Sequence, residues 1–351
     1  MLTKESHELI QSFLGNSDIK SLLKNKQLQL LFDTLKQQSY TNSLVKLRHG
    51  EKLFPQSYFL AKSLSSKLSE EKDTLTLKWT TTNSDNHSIT CELNIYLQDR
   101  DKPFPNTKLL VKALSLLFAL TDKNRKFTIH LALLNDRKLI RKNQKHITKK
   151  NVNSGSCSFT DTEAEICVWR KEEAIKVLLH ECIHALRFSD LNSDDDITQK
   201  LCQKYNLESK AILIDESYTE VWAKILNCYL VSYLVNAKDM YQHFCTMLAI
   251  EKEFSLYQAN KVRMIAKKLK TKNKYANLDS DTNVTAYFIV VAEIFDHFNE
   301  FLTICGTNPY LKEIHKCKQF LLTTNTIKKR KVKQSDKFYN TMRMSVIELK
   351  L

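Results

Sequence analysis

The stretch LHECIHALRF (179–188) contains two histidines and a glutamate with the types and spacing of a catalytic metal site. On an α-helix, His180 and His184 leave the same face about 6 Å apart along the axis. Imidazole nitrogens held in this way can bind one Zn²⁺ at roughly 2.0–2.1 Å. Glu181 lies at the edge of that face, where its carboxylate can take a proton from a metal-activated water. The pentad therefore predicts a zinc site with Glu181 as the general base.

The pentad alone leaves an alternative open. By chance, HExxH is expected in roughly one or two chains per hundred of this length. Two ordinary histidines on a half-buried helix would give the same pattern. A third ligand is needed to distinguish the two interpretations, because a catalytic zinc site usually has three protein ligands and one open position.

The stretch DESYTEVWA (215–223) supplies two acidic side chains at the same helical spacing. Glu216 and Glu220 stand among apolar neighbours, where an unpaired carboxylate is costly. A ligating histidine usually has its second nitrogen fixed by a carboxylate or a carbonyl. The alternative for both glutamates is a solvated helix face. The stretch resembles the second motif of gluzincin zinc metallopeptidases, which implies that Glu216 is the third zinc ligand and Glu220 supports His180 or His184.

The resemblance covers residues 169–223. The metzincin extension HExxHxxGxxH is absent, because His184 is followed by ALRFSD. The gap from His184 to Glu216 is wider than in thermolysin-like enzymes and closer to that of clostridial neurotoxin light chains. The phrase WRKEEAIKVLLHECIHALRF also resembles uncharacterised metallopeptidases of large DNA viruses, and a glycine count of 4 in a lysine-rich chain is typical of an AT-rich genome.

A site of this kind also needs a group that stabilises the oxyanion, commonly tyrosine, histidine or arginine. We expect Tyr287, in the apolar stretch NVTAYFIVVAEIF, to fill this role; the alternative is a core tyrosine with a satisfied hydroxyl. Tyr218 is a second candidate, whereas Arg187 is expected to pair with a local acid. Cys182 faces away from both histidines, so a buried thiol is expected in place of a Cys–His nucleophile.

Substrate binding in such folds uses an antiparallel edge strand beside the site helix. Asn153, Ser154 and Gly155 precede a predicted strand and could supply that edge. An ordinary loop is the alternative for these residues.

The elements that must position these side chains follow from hydrophobic periodicity. Alternating patterns predict a β-hairpin from 74–82 and 88–98, and strands over 126–134 and 164–170. Helices are predicted over 5–70, 109–120, 171–188, 195–206, 214–235, 238–270 and 283–304. We therefore expect an α+β fold: a helix-rich zincin-like domain with a small mixed or antiparallel sheet beside the pentad helix. The expected organisation is a helical region with the hairpin (1–125), the metallopeptidase domain (126–324) and a basic tail (325–351).

The chain's 351 residues have a globular composition, 42% hydrophobic and 26% charged, with a net charge of +15. The polar N-terminus, the lack of a long apolar run and nine scattered cysteines predict a reduced protein of the cytosol or nucleus. Basic stretches at 136–150, 261–274 and 328–333 indicate either solvated surface or non-specific nucleic-acid contact. The last of them, KKRKVK, resembles a nuclear import signal; a basic linker is the alternative.

Together these observations predict a peptidase with one Zn²⁺ per chain that hydrolyses a peptide or protein substrate. A catalytically silent scaffold with a structural or vestigial zinc site is the main alternative. Such a site would be closed by a fourth protein ligand. Nucleic-acid binding as the main function is a third hypothesis, which a steep salt dependence of affinity would reveal.

Overall fold

The computed structural model describes residues 1–98, 104–141, 144, 146–189, 191, 195–205, 212–236, 238–267, 270–271, 274–275, 281–324, 327 and 332–351. Most of the basic KKRKVK stretch, residues 328–331, lies outside the described residues. None of the helices in the described ranges combines the length and the apolar character needed to cross a bilayer.

One mixed sheet forms the centre of the fold, and its strands run in the order β1–β3–β4–β5–β7–β6, with β2 also paired to β3. A separate pair of two-residue strands, β8 and β9, stands apart from it. The strands are β1 Tyr40–Asn42, β2 Lys46–Lys52, β3 Lys72–Asn83, β4 Ser88–Tyr96, β5 Arg125–Leu134, β6 Gly155–Phe159, β7 Glu163–Arg170, β8 Lys270–Thr271 and β9 Lys274–Tyr275.

Helices pack on both faces of the sheet, most of them on one. They are α1 Lys4–Leu14, α2 Ile19–Leu23, α3 Lys26–Gln37, α4 Lys62–Ser65, α5 Thr107–Phe118, α6 Lys149–Val152, α7 Ala174–Leu186, α8 Asp195–Lys204, α9 Ile214–Val235, α10 Met240–Lys267, α11 Val291–Asp296, α12 Phe298–Cys305 and α13 Ile314–Thr323. A 3₁₀ turn spans Ser66–Leu68, and a π-helix spans Thr285–Val290 and continues into α11. The α+β prediction is confirmed.

The alternation of β7 shows how the sequence divides the core. Ile166 and Val168 point to the helix-covered face and join the main core cluster with α5, α7 and α9. Cys167 and Trp169 point to the other face and join a smaller cluster beneath α4. Because β7 is paired on both sides and buried on both faces, it carries a nearly continuous apolar run. Helix α7 follows it directly, so the pentad is attached to the strand next to the edge strand β6.

The predicted hairpin is confirmed as β3 and β4, with Asn86 in the left-handed region (φ 64°) in the turn between them. The prediction that residues 5–70 are helical is wrong over 38–61, which contain β1, β2 and a non-helical connection to α4. Strand β2 is exposed along most of its length and is held by antiparallel pairing with β3. Its local pattern does not reveal this non-local pairing.

The C-terminal residues 341–347 are buried inside the fold. Glu173, before α7, accepts hydrogen bonds from the backbone amides of Met344 (3.0 Å) and Ser345 (2.6 Å). Glu251 of α10 accepts one from the amide of Val346 at 2.9 Å. The end of the chain therefore packs under the N-terminus of α7, next to the pentad.

Candidate metal centre

Three side chains from two helices bring their donor atoms together at one point. His180 and His184 lie one turn apart on α7, and Glu216 lies in the first turn of α9. The two histidine Nε2 atoms are 3.2 Å apart, and Glu216 Oε2 lies 3.2 Å from the first and 3.1 Å from the second. Ligands bound to Zn²⁺ at about 2.0–2.1 Å in a tetrahedron are about 3.3 Å apart. The donor atoms and their spacing therefore fit one zinc ion.

The group has three members, all of them residues that the sequence predicted. In the described part of the chain no other His, Cys or carboxylate ligand joins it. Three protein ligands leave a fourth tetrahedral position open, which is the arrangement of catalytic zinc sites and not of closed structural ones.

A buried carboxylate orients His180. Glu220, one turn further along α9 and fully buried, places Oε2 3.0 Å from His180 Nδ1. Because a carboxylate can only accept, Nδ1 donates and the Nε2 lone pair is directed to the triad. Lys176 Nζ donates to both oxygens of Glu220, at 2.9 and 2.8 Å. Burial raises the pKa of Glu220, but Lys176 and His180 outweigh it and hold that pKa well below its usual range.

His184 is supported from another direction. Its Nδ1 lies 3.5 Å from Asp215 Oδ2 and 3.5 Å from the hydroxyl of Thr219. Asp215 also accepts a hydrogen bond from the hydroxyl of Ser189. Each histidine therefore has its distal nitrogen beside an acidic residue of α9, as metal-ligating histidines usually do.

Glu181 lies against the edge strand β6. A Cβ atom built on Gly155 would stand 2.6 Å from Glu181 Oε1 and 2.8 Å from a methyl group of Val177. Only glycine lets the strand approach α7 this closely. Burial raises the pKa of Glu181 above its ordinary value, although both pentad histidines oppose this. The carboxylate stands beside the triad without being part of it.

Tyr287 is also brought to the site. Its ring lies 6.0 Å from the ring of His180, and it is carried by the π-helix. Such helices are rare and are often found at functional sites. Asn283, just before the π-helix, donates to Glu216 Oε1 at 3.3 Å and so holds the oxygen that does not face the histidines. Burial raises the pKa of Tyr287, as do the nearby carboxylates of Glu216 and Glu181, so its hydroxyl stays protonated.

A cavity of about 30 Å³ opens beside Glu181, between β6, α7 and the C-terminal segment. All three predicted substrate residues line it: Asn153, Ser154 and Gly155. Asn153 and Ser154 lie just before the strand, and Gly155 begins β6, the antiparallel edge strand beside α7.

The remaining candidates lie outside the site. Tyr218 is wrong as an oxyanion residue, because its buried hydroxyl donates to the carbonyl of Pro309 at 2.7 Å, on a different face of α9. Arg187 pairs with Asp161 at 2.9 Å, as expected of a local acid. Cys182 is a fully buried free thiol, as expected.

Sequence reasoning missed Lys176, Asp215 and Asn283. Lys176 left a signal, since it is a lysine in a helix that is apolar on nearly every side and needs a buried acid as partner. Asp215 left a weaker one as the first acidic residue of DESYTE. Asn283 left none, because its contact with Glu216 depends on how the π-helix packs on α9.

Comparison of this chain with family models, with curated proteins and with solved structures gives no match. The functional argument therefore depends on the geometry of the site.

Proposed function

We propose that this chain is a zinc-dependent peptidase of the gluzincin type, in which His180, His184 and Glu216 bind the metal and Glu181 is the general base. The observation that carries the proposal is the convergence of three donor atoms within 3.1–3.2 Å of one another, with Glu181 beside them but outside the ligand group. Zinc would supply Lewis acidity and lower the pKa of a water molecule.

The chain's own residues have separate roles in peptide hydrolysis. Glu181 accepts a proton from the attacking water while the water oxygen forms a bond to the carbonyl carbon of the peptide. It then delivers that proton to the amide nitrogen as the C–N bond breaks. Tyr287 donates its hydroxyl proton in a hydrogen bond to the developing oxyanion. Glu220 and Asp215 keep the histidine lone pairs directed at the triad while charge changes beside them.

Other features support a peptidase that acts inside the cell. All nine cysteines are free, in keeping with a reducing compartment. The substrate would be a peptide or protein chain, bound in extended form along β6. Non-specific nucleic-acid contact through the net charge of +15 would accompany this activity without replacing it.

The first experiment is metal analysis of the purified protein. We expect about one zinc per chain in the wild type and a strong loss in His180→Ala. Less than about 0.2 zinc per chain in the wild type, unchanged in His180→Ala, would contradict the proposal.

The second experiment separates an enzyme from a silent scaffold. Glu181→Gln should keep zinc and fold while abolishing cleavage of a peptide library. Glu163→Gln, which changes an exposed carboxylate on β7, is the matched control and should cleave as the wild type does. A wild type that binds zinc but cleaves no peptide would favour the scaffold.

A further inference from the structure

The cleft along β6 is open at one end. Strand β6 pairs with β7 on one side, and in the described residues its other edge carries no strand. Ser158 and Phe159, at its C-terminal end, are exposed, and Phe159 retains 45% of its surface. An extended peptide can therefore add to this edge through backbone hydrogen bonds and continue past Phe159 into solvent.

The other end of the cleft is closed. The hydroxyl of Thr282 donates to Asn153 Oδ1 at 2.6 Å, and the amide of Lys149 donates to Asp281 Oδ2 at 2.7 Å. The next residue along, Asn283, reaches Glu216 at 3.3 Å. The segment 281–283 thus joins the chain before β6 to the ligand group. Residues 149–152 form α6 and therefore offer a substrate backbone no strand edge with which to pair.

The reacting atoms lie at the closed end. Gly155, the first residue of β6, touches Glu181, so the scissile bond must lie near the start of the strand. Four further residues of β6 extend from this point toward the open end. In the other direction from Gly155, the described residues form a cavity of about 30 Å³, which has room for a small group.

The cavity carries unused hydrogen-bond donors. Ser154 Oγ is buried, at 3% exposure for the residue, and has no hydrogen-bond partner among the described residues. Lys138 also lines the cavity; its Nζ donates to Glu173 at 2.8 Å, and an ammonium group has three N–H donors in all. A hydroxyl and an ammonium group suit a carboxylate.

The direction in which a peptide pairs with β6 decides which terminus reaches the cavity. Antiparallel strand pairs outnumber parallel ones by about two- to three-fold. A peptide antiparallel to β6 has its C-terminus at the Gly155 end. We infer that the enzyme is a carboxypeptidase, which removes the C-terminal residue of a peptide and binds its terminal carboxylate, a small group, in the cavity lined by Ser154 and Lys138. This inference depends on the proposed peptidase function.

The test uses the zinc-loaded full chain and pairs of peptides that differ only in a free or an amidated C-terminus. Mass spectrometry should detect release of the C-terminal residue from the free acid, with cleavage of the amide slower by at least about 10-fold. Ser154→Ala should raise KM several-fold for the acid and leave the amide unchanged. Ser12→Ala, which changes an exposed serine on α1, is the matched control and should change neither.

Equal rates on acid and amide, internal cuts or trimming from the N-terminus would overturn the inference while leaving the peptidase function intact. A zinc-loaded protein that cleaves none of the peptides would instead refute the peptidase function, and the inference with it.

Discussion

Replacement of Glu220 by glutamine tests the structure of the site most directly, because this residue links a buried lysine to a candidate zinc ligand. Its carboxylate accepts from Lys176 at 2.9 and 2.8 Å and from His180 at 3.0 Å. Glutamine keeps the shape of the side chain but removes its charge. The two contacts should fail in different ways, and each failure can be measured.

The loss at His180 should appear as weaker zinc binding. Removing the group that orients a ligating histidine typically costs 10–100-fold in metal affinity. This corresponds to about 1.4–2.7 kcal/mol. The loss at Lys176 should appear as lower stability without metal, since breaking a buried ion pair by removing one partner costs about 3–5 kcal/mol. Zinc affinity would be measured by competition with a chromophoric chelator, and stability by urea unfolding of the metal-free protein.

A second substitution separates the two effects. Adding Lys176→Met to Glu220→Gln removes the uncompensated charge, so stability should recover while zinc affinity stays low. Glu293→Gln is the control for the loss of a buried, ion-paired carboxylate elsewhere, because Glu293 binds Lys204 and Arg263 at 3.1 Å. It should lower stability and leave zinc affinity unchanged.

Comparison with Glu216→Gln shows which of the two glutamates is the zinc ligand. Glu216→Gln should lower zinc affinity more than Glu220→Gln, because it removes an anionic ligand and leaves only two histidines to bind the ion. The reverse order would mean that Glu220 is the ligand and Glu216 its supporter. If Glu220→Gln reduces stability but binds zinc within about twofold of the wild type, Glu220 serves only as a counter-ion for Lys176 and the reasoning is refuted.

Three other perturbations have defined outcomes. Gly155→Ala should keep zinc but lower peptide cleavage by at least about 10-fold, since the new methyl group would meet Glu181 at 2.6 Å; unchanged kcat would show that β6 can shift freely. Removing zinc with a chelator should lower Tm, and adding zinc should restore it, because only the folded chain brings the ligands together. Acid should destabilise the protein. Burial raises the pKa of Glu173, but the positive charges of Lys138, Lys176 and Arg343 outweigh the effect of burial and lower this pKa to about 2. A carboxylate whose pKa is lowered by folding stabilises the protein at pH values above its pKa in the unfolded chain, which is near 4.5. For Glu173 this stabilisation is about 3 kcal/mol, and it is lost as the pH falls from about 5 to 2. The free energy of unfolding, measured with urea at several pH values in this range, should therefore fall less steeply with falling pH in Glu173→Gln than in the wild type.

Local sequence patterns predicted the parts of the site that depend on one helix at a time. The spacing of His180 and His184 fixes their common face in any α-helix, and the same holds for Glu216 and Glu220. Apolar periodicity located α7 and α9 within a few residues of their observed bounds. The resemblance added the pairing of the two helices, which periodicity alone does not contain.

Contacts between distant segments could not be predicted in the same way. Strand β2 exists because β3 offers it an edge, and its own residues KLRHGEK are exposed and mostly charged. Segment 281–283 reaches the chain before β6 through single hydrogen bonds, from the hydroxyl of Thr282 to Asn153 and from the Lys149 amide to Asp281, and these contacts leave no pattern in the sequence. Propensity is a weak predictor wherever pairing across the fold decides the structure.

The C-terminal segment helps to stabilise the buried charges next to this site. Taking Glu173 out of water costs several kcal/mol unless its oxygens are fully hydrogen-bonded. Lys138 supplies one donor, and the amides of Met344 and Ser345 supply two more. Glu173 also stands in the left-handed region (φ 59°), immediately before α7, a conformation that persists only where surrounding contacts enforce it. The end of the chain therefore fixes the start of α7. Because the pentad begins less than two turns later, its orientation toward α9 depends on Met344 and Ser345, which lie about 160 residues further along the chain.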